Sequence, residues 1–259
     1  MKKQLTLILP IIAFATVAHA ASDTYIRNGN IYTNQDSWIA EVGGAGTSDL
    51  FKAQHKNAVP LFNFGYHSED FNVDVGSVNY RFFGGNDDLI NLSTYLGSSG
   101  LSYDQDDADI LKGMDKRESS ADLGLNADIH LNQGTVSTYF QHDISGAYNG
   151  FVAGAKYFYP MKLSSADFVP FAGVSYQSAD YVDYYFGVKD KEANAQRHAY
   201  KGGSDVSYQL GYKLVMPIAE NWDITQTTTY NRLGDNISDS PIVASANQWS
   251  AGATVSYYF

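Results

Sequence analysis

Along most of this chain apolar and polar residues alternate with a period of two, the pattern of a ribbon with one face turned to an apolar medium and one turned away. From Glu118 to Leu131, residues Ala121, Leu123, Leu125, Ala127, Ile129 and Leu131 share one face, and Ser120, Asp122, Gly124, Asn126, Asp128 and His130 share the other. Ser204 to Met216 repeats the pattern, with Val206, Tyr208, Leu210, Tyr212, Leu214 and Met216 opposite Asp205, Ser207, Gln209, Gly211 and Lys213. The final segment sets Trp249, Ala251, Ala253, Val255, Tyr257 and Phe259 against Gln248, Ser250, Gly252, Thr254, Ser256 and Tyr258, so the chain ends on its apolar face. Weaker alternation predicts strands over 38–46, 59–66, 71–83, 88–97, 135–144, 150–159, 168–176 and 222–231.

Apolar faces this continuous belong either to a buried sheet or to lipid. Within a bilayer every backbone N–H and C=O must be paired inside the protein, so only helices and edge-free barrels can span it. After the first twenty residues no apolar run is long enough for a spanning helix. The expected fold is therefore all-β: a closed antiparallel transmembrane barrel with short periplasmic turns and longer extracellular loops. With Phe259 at the periplasmic end, the turns at 218–221, 132–134 and 160–166 come out inside, and the long polar stretches 189–203 and 234–247 come out outside. Both termini inside require an even number of strands, and the segments above fall one short. A strand at 101–105, entered through the Gly97–Gly100 turn, brings the number to about twelve, with ten and fourteen as the neighbouring even counts; a strand near 25–32 is the other way to balance the parity. Aromatics at segment ends, among them Phe62, Phe64, Tyr66, Tyr157, Tyr159 and Trp222, suit the two interfacial girdles of such a barrel.

The first residues supply the route. Met1, Lys2 and Lys3, an apolar run from Leu5 to Val17 and then Ala18-His19-Ala20 form a secretory signal peptide over 1–20, with the mature chain at 21–259 destined for the outer membrane of a Gram-negative bacterium. A net charge of -11 argues against a nucleic-acid partner, which would demand a basic face. The absence of cysteine removes disulfides and thiolate metal sites, so stability must come from closure of the sheet.

An ordered set of short motifs refines this reading. Leu111-Lys112-Gly113-Met114, Arg117-Glu118-Ser119-Ser120 with Gly124-Leu125, Tyr185-Phe186-Gly187-Val188 and Ser240-Pro241-Ile242-Val243 ahead of the last strand resemble the OmpV/MipA family of outer-membrane proteins over essentially the whole mature chain. The resemblance implies a non-enzymatic barrel. For some members it implies a scaffold joining a lytic transglycosylase to a penicillin-binding murein synthase. For others it implies small-solute passage in osmotic response, or attachment to host surfaces. It carries over no catalytic residue and no cofactor.

The residues themselves offer three kinds of chemistry. The inward set, Asp122, Asn126, Asp128, His130, Ser207, Gln209, Lys213, Asp223, Thr225, Thr227 and Thr229, would line a lumen that is either narrow and water-filled or plugged; if open, its acidic and neutral lining would favour cations and neutral solutes. Val255, Tyr257 and Phe259 resemble the signal read by the barrel-assembly machinery. The cluster Asp104, Asp106, Asp107 and Asp109 departs from an EF-hand loop, since Ala108 occupies the fifth position, Asp109 replaces the turn glycine and the bidentate Glu is missing, so no metal site is expected there. His142-Asp143 lacks the partners that acid–base or nucleophilic catalysis needs. The expected surroundings are outer-membrane lipid and lipopolysaccharide.

Overall fold

The computed structural model describes residues 24–259, and the signal peptide expected at 1–20 lies outside the described residues. Two short strands, β1 (Thr24–Arg27) and β2 (Asn30–Thr33), form a separate hairpin. The wall then runs through β3 (Ser37–Thr47), β4 (Ala58–His67), β5 (Phe71–Asp74), β6 (Ser77–Phe83), β7 (Ile90–Gly97), β8 (Asp122–Leu131), β9 (Gly134–Asp143), β10 (Phe151–Phe158), β11 (Met161–Leu163), β12 (Ala166–Gln177), β13 (Asp205–Ala219), β14 (Trp222–Arg232) and β15 (Asn247–Tyr258). Each strand is hydrogen-bonded antiparallel to the next, except that β10 and β11 each pair with β12 and not with one another. β15 returns to β3, and β10 pairs with β12, which closes the ring. β10 and β11 both lie against β12 and form one wall strand interrupted near Pro160, so thirteen paired segments make a closed barrel of twelve strands.

Four details correct the sequence reading. The missing strand lies inside 71–83, which breaks at Val75-Gly76 into β5 and β6; Gly76 turns with φ +86, a conformation that residues with a side chain rarely adopt. The stretch 101–105 is not a wall strand: Tyr103 only bridges to Arg117 above the barrel. Residues 25–32 are β-structured but lie inside the lumen, as described below. The alternation over 118–121 also overshoots, because β8 starts at Asp122.

The wall sorts its faces as a lipid-embedded barrel must. Leu123, Leu125, Leu131, Tyr208, Leu210 and Val42 are exposed on the outside, whereas Asp122, Asn126 and Asp128 are buried inside. At the lower end, which carries Phe259 and the short turns, Trp38 packs against Phe64 and Tyr66, Trp222 against Tyr257, and Tyr257 against Phe259. Trp38 and Phe259 exchange backbone hydrogen bonds at 3.0 and 3.1 Å, tying the last residue to the first wall strand. Higher up, Tyr230 pairs with Trp249 in the register of β14 and β15. These two levels mark the aromatic girdles.

Candidate functional site

The inward faces of the wall strands are polar, and in the lower half of the barrel they enclose the β1–β2 hairpin. Its backbone and side chains are held by residues of several wall strands. Asn28 N donates to Asp128 Oδ2 at 2.7 Å, and Lys213 Nζ donates to Ile31 O at 2.9 Å. Arg27 Nη1 donates to Ser68 O and Asn72 Oδ1, Asn79 Nδ2 to the Tyr32 hydroxyl, and Thr33 meets the Tyr258 hydroxyl. Ile26 packs with Phe158 and Val169 of the wall, and the Tyr32 ring meets His67 edge-on at 4.8 Å between centroids. A polar lumen can seat a backbone hairpin because backbone groups that the insert leaves unpaired, such as Asn28 N and Ile31 O, find partners on the lining.

The inward residues named from sequence divide by what they touch. Asp128 and Lys213 hold the hairpin. Asn126 donates to Ser137 Oγ and lies just beyond Gly29. His130 bridges Asn91 Nδ2 at 2.8 Å and Thr135 Oγ1 at 3.0 Å at the lower mouth. Asp122 accepts from Gln141 Nε2 near the upper rim, Gln209 donates to Asn231, and Thr229 pairs with Ser250. Ser207, Asp223 and Thr225 are buried on the inner face, and Thr227 stands in register with Lys213. Gly124, between Asp122 and Asn126, lies under the Tyr95 ring, where a Cβ would come within 2.1 Å of the ring carbon.

The upper end is closed by a different construction. Loops 48–57, 98–121, 144–150, 178–204 and 233–246 fold together into a lid with its own apolar core: Phe51, Tyr103, Leu111, Met114, Tyr148, Val182, Tyr185, Phe186, Ile237, Ile242 and Val243 are buried there. Two helices contribute, α1 (Ala179–Phe186) and α2 (Asp235–Ser238). α1 begins where the Ser178 side chain accepts from Tyr181 N, and it turns Val182, Tyr185 and Phe186 into the core. The four sequence motifs sit in this lid, except for Gly124-Leu125, which lie on β8. Ser240 Oγ donates to Phe186 O at 2.6 Å, the Tyr103 hydroxyl donates to Tyr185 O at 2.7 Å, and Val243 bridges to Phe51. Sequence reading took 189–203 and 234–247 as long polar outer loops and placed a strand at 101–105, because the apolar residues of these segments carry no regular period over so short a span.

One ion pair locks the lid. Arg117 and Glu192, both buried, make a two-pronged contact: Nη1 to Oε1 at 3.0 Å and Nη2 to Oε2 at 2.9 Å. Arg117 Nε also donates to Tyr184 O, and Glu192 accepts from Asp115 N and Lys189 N, each at 3.0 Å. Burial pushes the Glu192 carboxyl up, but the Arg117 hydrogen bonds and the two backbone donors outweigh it and hold the group below its ordinary range. Arg197, equally buried, donates to the Glu192, Lys112 and Ile110 carbonyls. Spacing in the sequence gave no hint that residues 75 positions apart would meet.

The remaining chemical candidates are absorbed by structure. Asp143 accepts from the backbone of Ser145, Gly146, Tyr148 and Asn149 and shapes the loop after β9. Asp104 and Asp107 accept from Asp106 N and Asp104 N, and Asp109 pairs with Lys112 and His55. Among the described residues no cluster of His, Asp and Glu has the geometry of a metal site. A hollow of about 790 Å³ opens at the lower mouth between Arg27, Arg81, Asn86, His130 and Pro160. Arg81 there is held by Glu69, Asp70 and Asn86, while Arg27 Nη2 is buried without a hydrogen-bond partner.

Comparison with known proteins places the chain in a family. The profile of the family described as MltA-interacting protein MipA matches residues 42–259. The chain is 62% identical over 239 residues to the outer membrane protein OmpV of Vibrio cholerae, covering 92% of this chain and 93% of that one. It is 24% identical over 186 residues to the MltA-interacting protein of Escherichia coli, covering 71% and 74%. Among solved structures, the outer membrane channel DcaP of Acinetobacter baumannii aligns with a TM-score of 0.38 at 11% identity over 92% of this chain and 78% of that one.

Proposed function

The chain belongs to the MipA family of outer-membrane β-barrel proteins, and from that premise we propose that it is a closed barrel serving as a periplasmic docking scaffold for murein enzymes. The partners in this reading are a lytic transglycosylase, as the name of the E. coli relative indicates for that protein, and a penicillin-binding synthase. The observation that carries it is the β1–β2 hairpin, seated in the lumen by hydrogen bonds to Asp128, Lys213, Asn72 and Asn79. A barrel filled in this way offers the periplasm a fixed surface rather than a path. By the rule that short turns and both termini face the periplasm, that surface is the lower mouth around Arg27, Arg81 and His130. Val255, Tyr257 and Phe259, on the strand that closes the wall, serve in the same reading as the signal for the barrel-assembly machinery. No catalysis is assigned to the barrel itself.

The test uses the purified protein in detergent, folded as judged by heat-modifiable gel mobility. Retention of a soluble lytic transglycosylase on the immobilised barrel, with no current in planar bilayers, is the expected result. Steady single-channel conductance without retention would replace the scaffold with a solute channel. Attachment to host cells that disappears when loop 189–203 is removed, again without retention, would replace it with an adhesin.

A further inference from the structure

The wall is incomplete at one place. β4 has β3 along its whole length on one side, but on the other side its only register partners are Tyr66 with Val73 and His67 with Asn72, because β5 stops after four residues. Thr47 N donates to Asn57 O, so the odd residues of β4 direct their backbone groups to β3, and the even residues Ala58, Pro60, Phe62 and Phe64 direct theirs to the empty flank. Two features show that this flank is a formed edge. Pro60 has no N–H to leave unpaired. Asn63 seals the tip of the β5–β6 hairpin, accepting from Val75 N at 3.0 Å and donating to Asp74 Oδ1 at 2.7 Å.

The edge lies at membrane height. Register carries the lower girdle from Trp222 through Tyr257 and Ala40 to Phe64, and the upper girdle from Tyr230 through Trp249 to Ser48, beside the loop that leads into β4. Unpaired backbone facing hydrocarbon is costly, so it persists where it borders a cavity or meets a ligand. Behind it is a cavity of about 680 Å³, within the range of small-molecule sites. Leu50, Phe51, Val59, Leu101, Tyr181 and Phe186 give it an apolar lining. Val59, although on the inward parity of β4, is 45% exposed, as expected of a residue at an opening. Most of the lining comes from lid segments 48–56, 99–107 and 181–186, and Val59 reaches it from β4, so the cavity lies where the lid meets the open flank, above the hairpin. Of its two charged lining residues, Asp107 already accepts from Asp104 N, whereas Lys56 makes no ion pair among the described residues.

We propose that this cavity binds a single-chain anionic amphiphile of the fatty-acid class, entering laterally from the outer leaflet past the flank of β4. Its alkyl chain lies against Val59, Leu101 and Phe186, and its headgroup meets the Lys56 ammonium and the free backbone N–H groups at the rim. This assignment is independent of the scaffold reading, since it uses neither the lower mouth nor a periplasmic partner.

The test is photolabelling of the full-length protein, reconstituted in phospholipid vesicles, with dodecanoate bearing a terminal diazirine, followed by peptide mapping. Adducts are expected on 50–62 and 99–103 and to be displaced by unlabelled dodecanoate. Lys56→Glu, at an exposed position that leaves the fold intact, should weaken labelling about tenfold by setting a carboxylate against the headgroup. Val59→Trp should block the opening, while Leu210→Trp on the intact wall changes nothing. Adducts spread evenly over the lipid-facing belt, or unaffected by Lys56→Glu, would overturn the proposal. Equal labelling of the same peptides by a diazirine-bearing diacyl phospholipid would overturn the assignment to a single-chain ligand. A detergent-purified dimer cross-linked through Phe62→Cys would overturn the doorway, since a second copy would then cover the flank.

Discussion

The two closures of this barrel solve the same problem with opposite chemistry. The β1–β2 hairpin is held mainly by hydrogen bonds to a polar lining, through Asp128, Lys213, Asn72 and Asn79. The lid is held by an apolar core around Leu111, Val182, Tyr185 and Ile242, with a buried Arg117–Glu192 pair across it. The difference follows from what each piece faces. The hairpin sits inside a cylinder whose inner residues are polar because the outer ones must be apolar, so it can bond but has little to bury against. The lid stands in water above the rim and must bring its own core, as any small soluble domain does, with each fully buried Leu or Phe contributing about 1.5–3 kcal/mol.

Two closures in series lead to the largest expected effect. Removing residues 24–33 together with Glu192→Ala should turn a silent barrel into a conducting one in planar bilayers, while either change alone leaves it silent; current from the hairpin deletion alone would mean that the lid is no seal. Next comes the ion pair by itself. Arg117→Leu strands the Glu192 carboxylate in the lid core and should cost about 3–5 kcal/mol of lid stability, read as rapid proteolysis at 189–203 while the barrel keeps its heat-modifiable mobility. Loss of barrel and lid together would show that the two are one cooperative unit.

Acid offers a gentler probe of the same contrast. The Glu192 carboxyl is held below its ordinary value, so its contribution is fully present above the unfolded carboxylate pKa of about 4.3 and fades as pH falls through the lower folded value. Protease protection of the lid should therefore drop in that acidic window, and the drop should vanish in Glu192→Gln. The smallest effect is expected at Lys112, whose exposed contact with Asp109 lies on the outer surface of the lid. Lys112→Ala should leave lid protection unchanged, and a marked loss would show that surface charge, rather than the buried core, holds the lid.

Much of the wall was legible because lipid imposes a strict rule on each strand separately. Leu123 and Leu125 against Asp122 and Asn126 need no partner strand to be recognised, and the same holds for Tyr208 and Leu210 against Ser207 and Gln209. The count was harder. At Val75-Gly76 the apolar positions shift from odd (Phe71, Val73, Val75) to even (Val78, Tyr80, Phe82), a slip of phase that a bulge within one strand and a turn between two short ones share until their partners are known. Tyr25 to Tyr32 carried a strand signal that was real but belonged to the interior, since period-two patterning cannot tell a wall from a plug. The lid was invisible for a third reason: Arg117 and Glu192, or Phe186 and Ser240, are brought together only by the ring of strands beneath them.

The sequence by itself determined the medium: which residues face lipid, which face inward, and that the sheet must close, because the cost of unpaired backbone in hydrocarbon acts on every segment alike. Only the tertiary structure decided what fills the cylinder, what caps it and where its wall is left open. Those outcomes depend on contacts between distant segments, and their energies exist only once the ring has set the segments side by side.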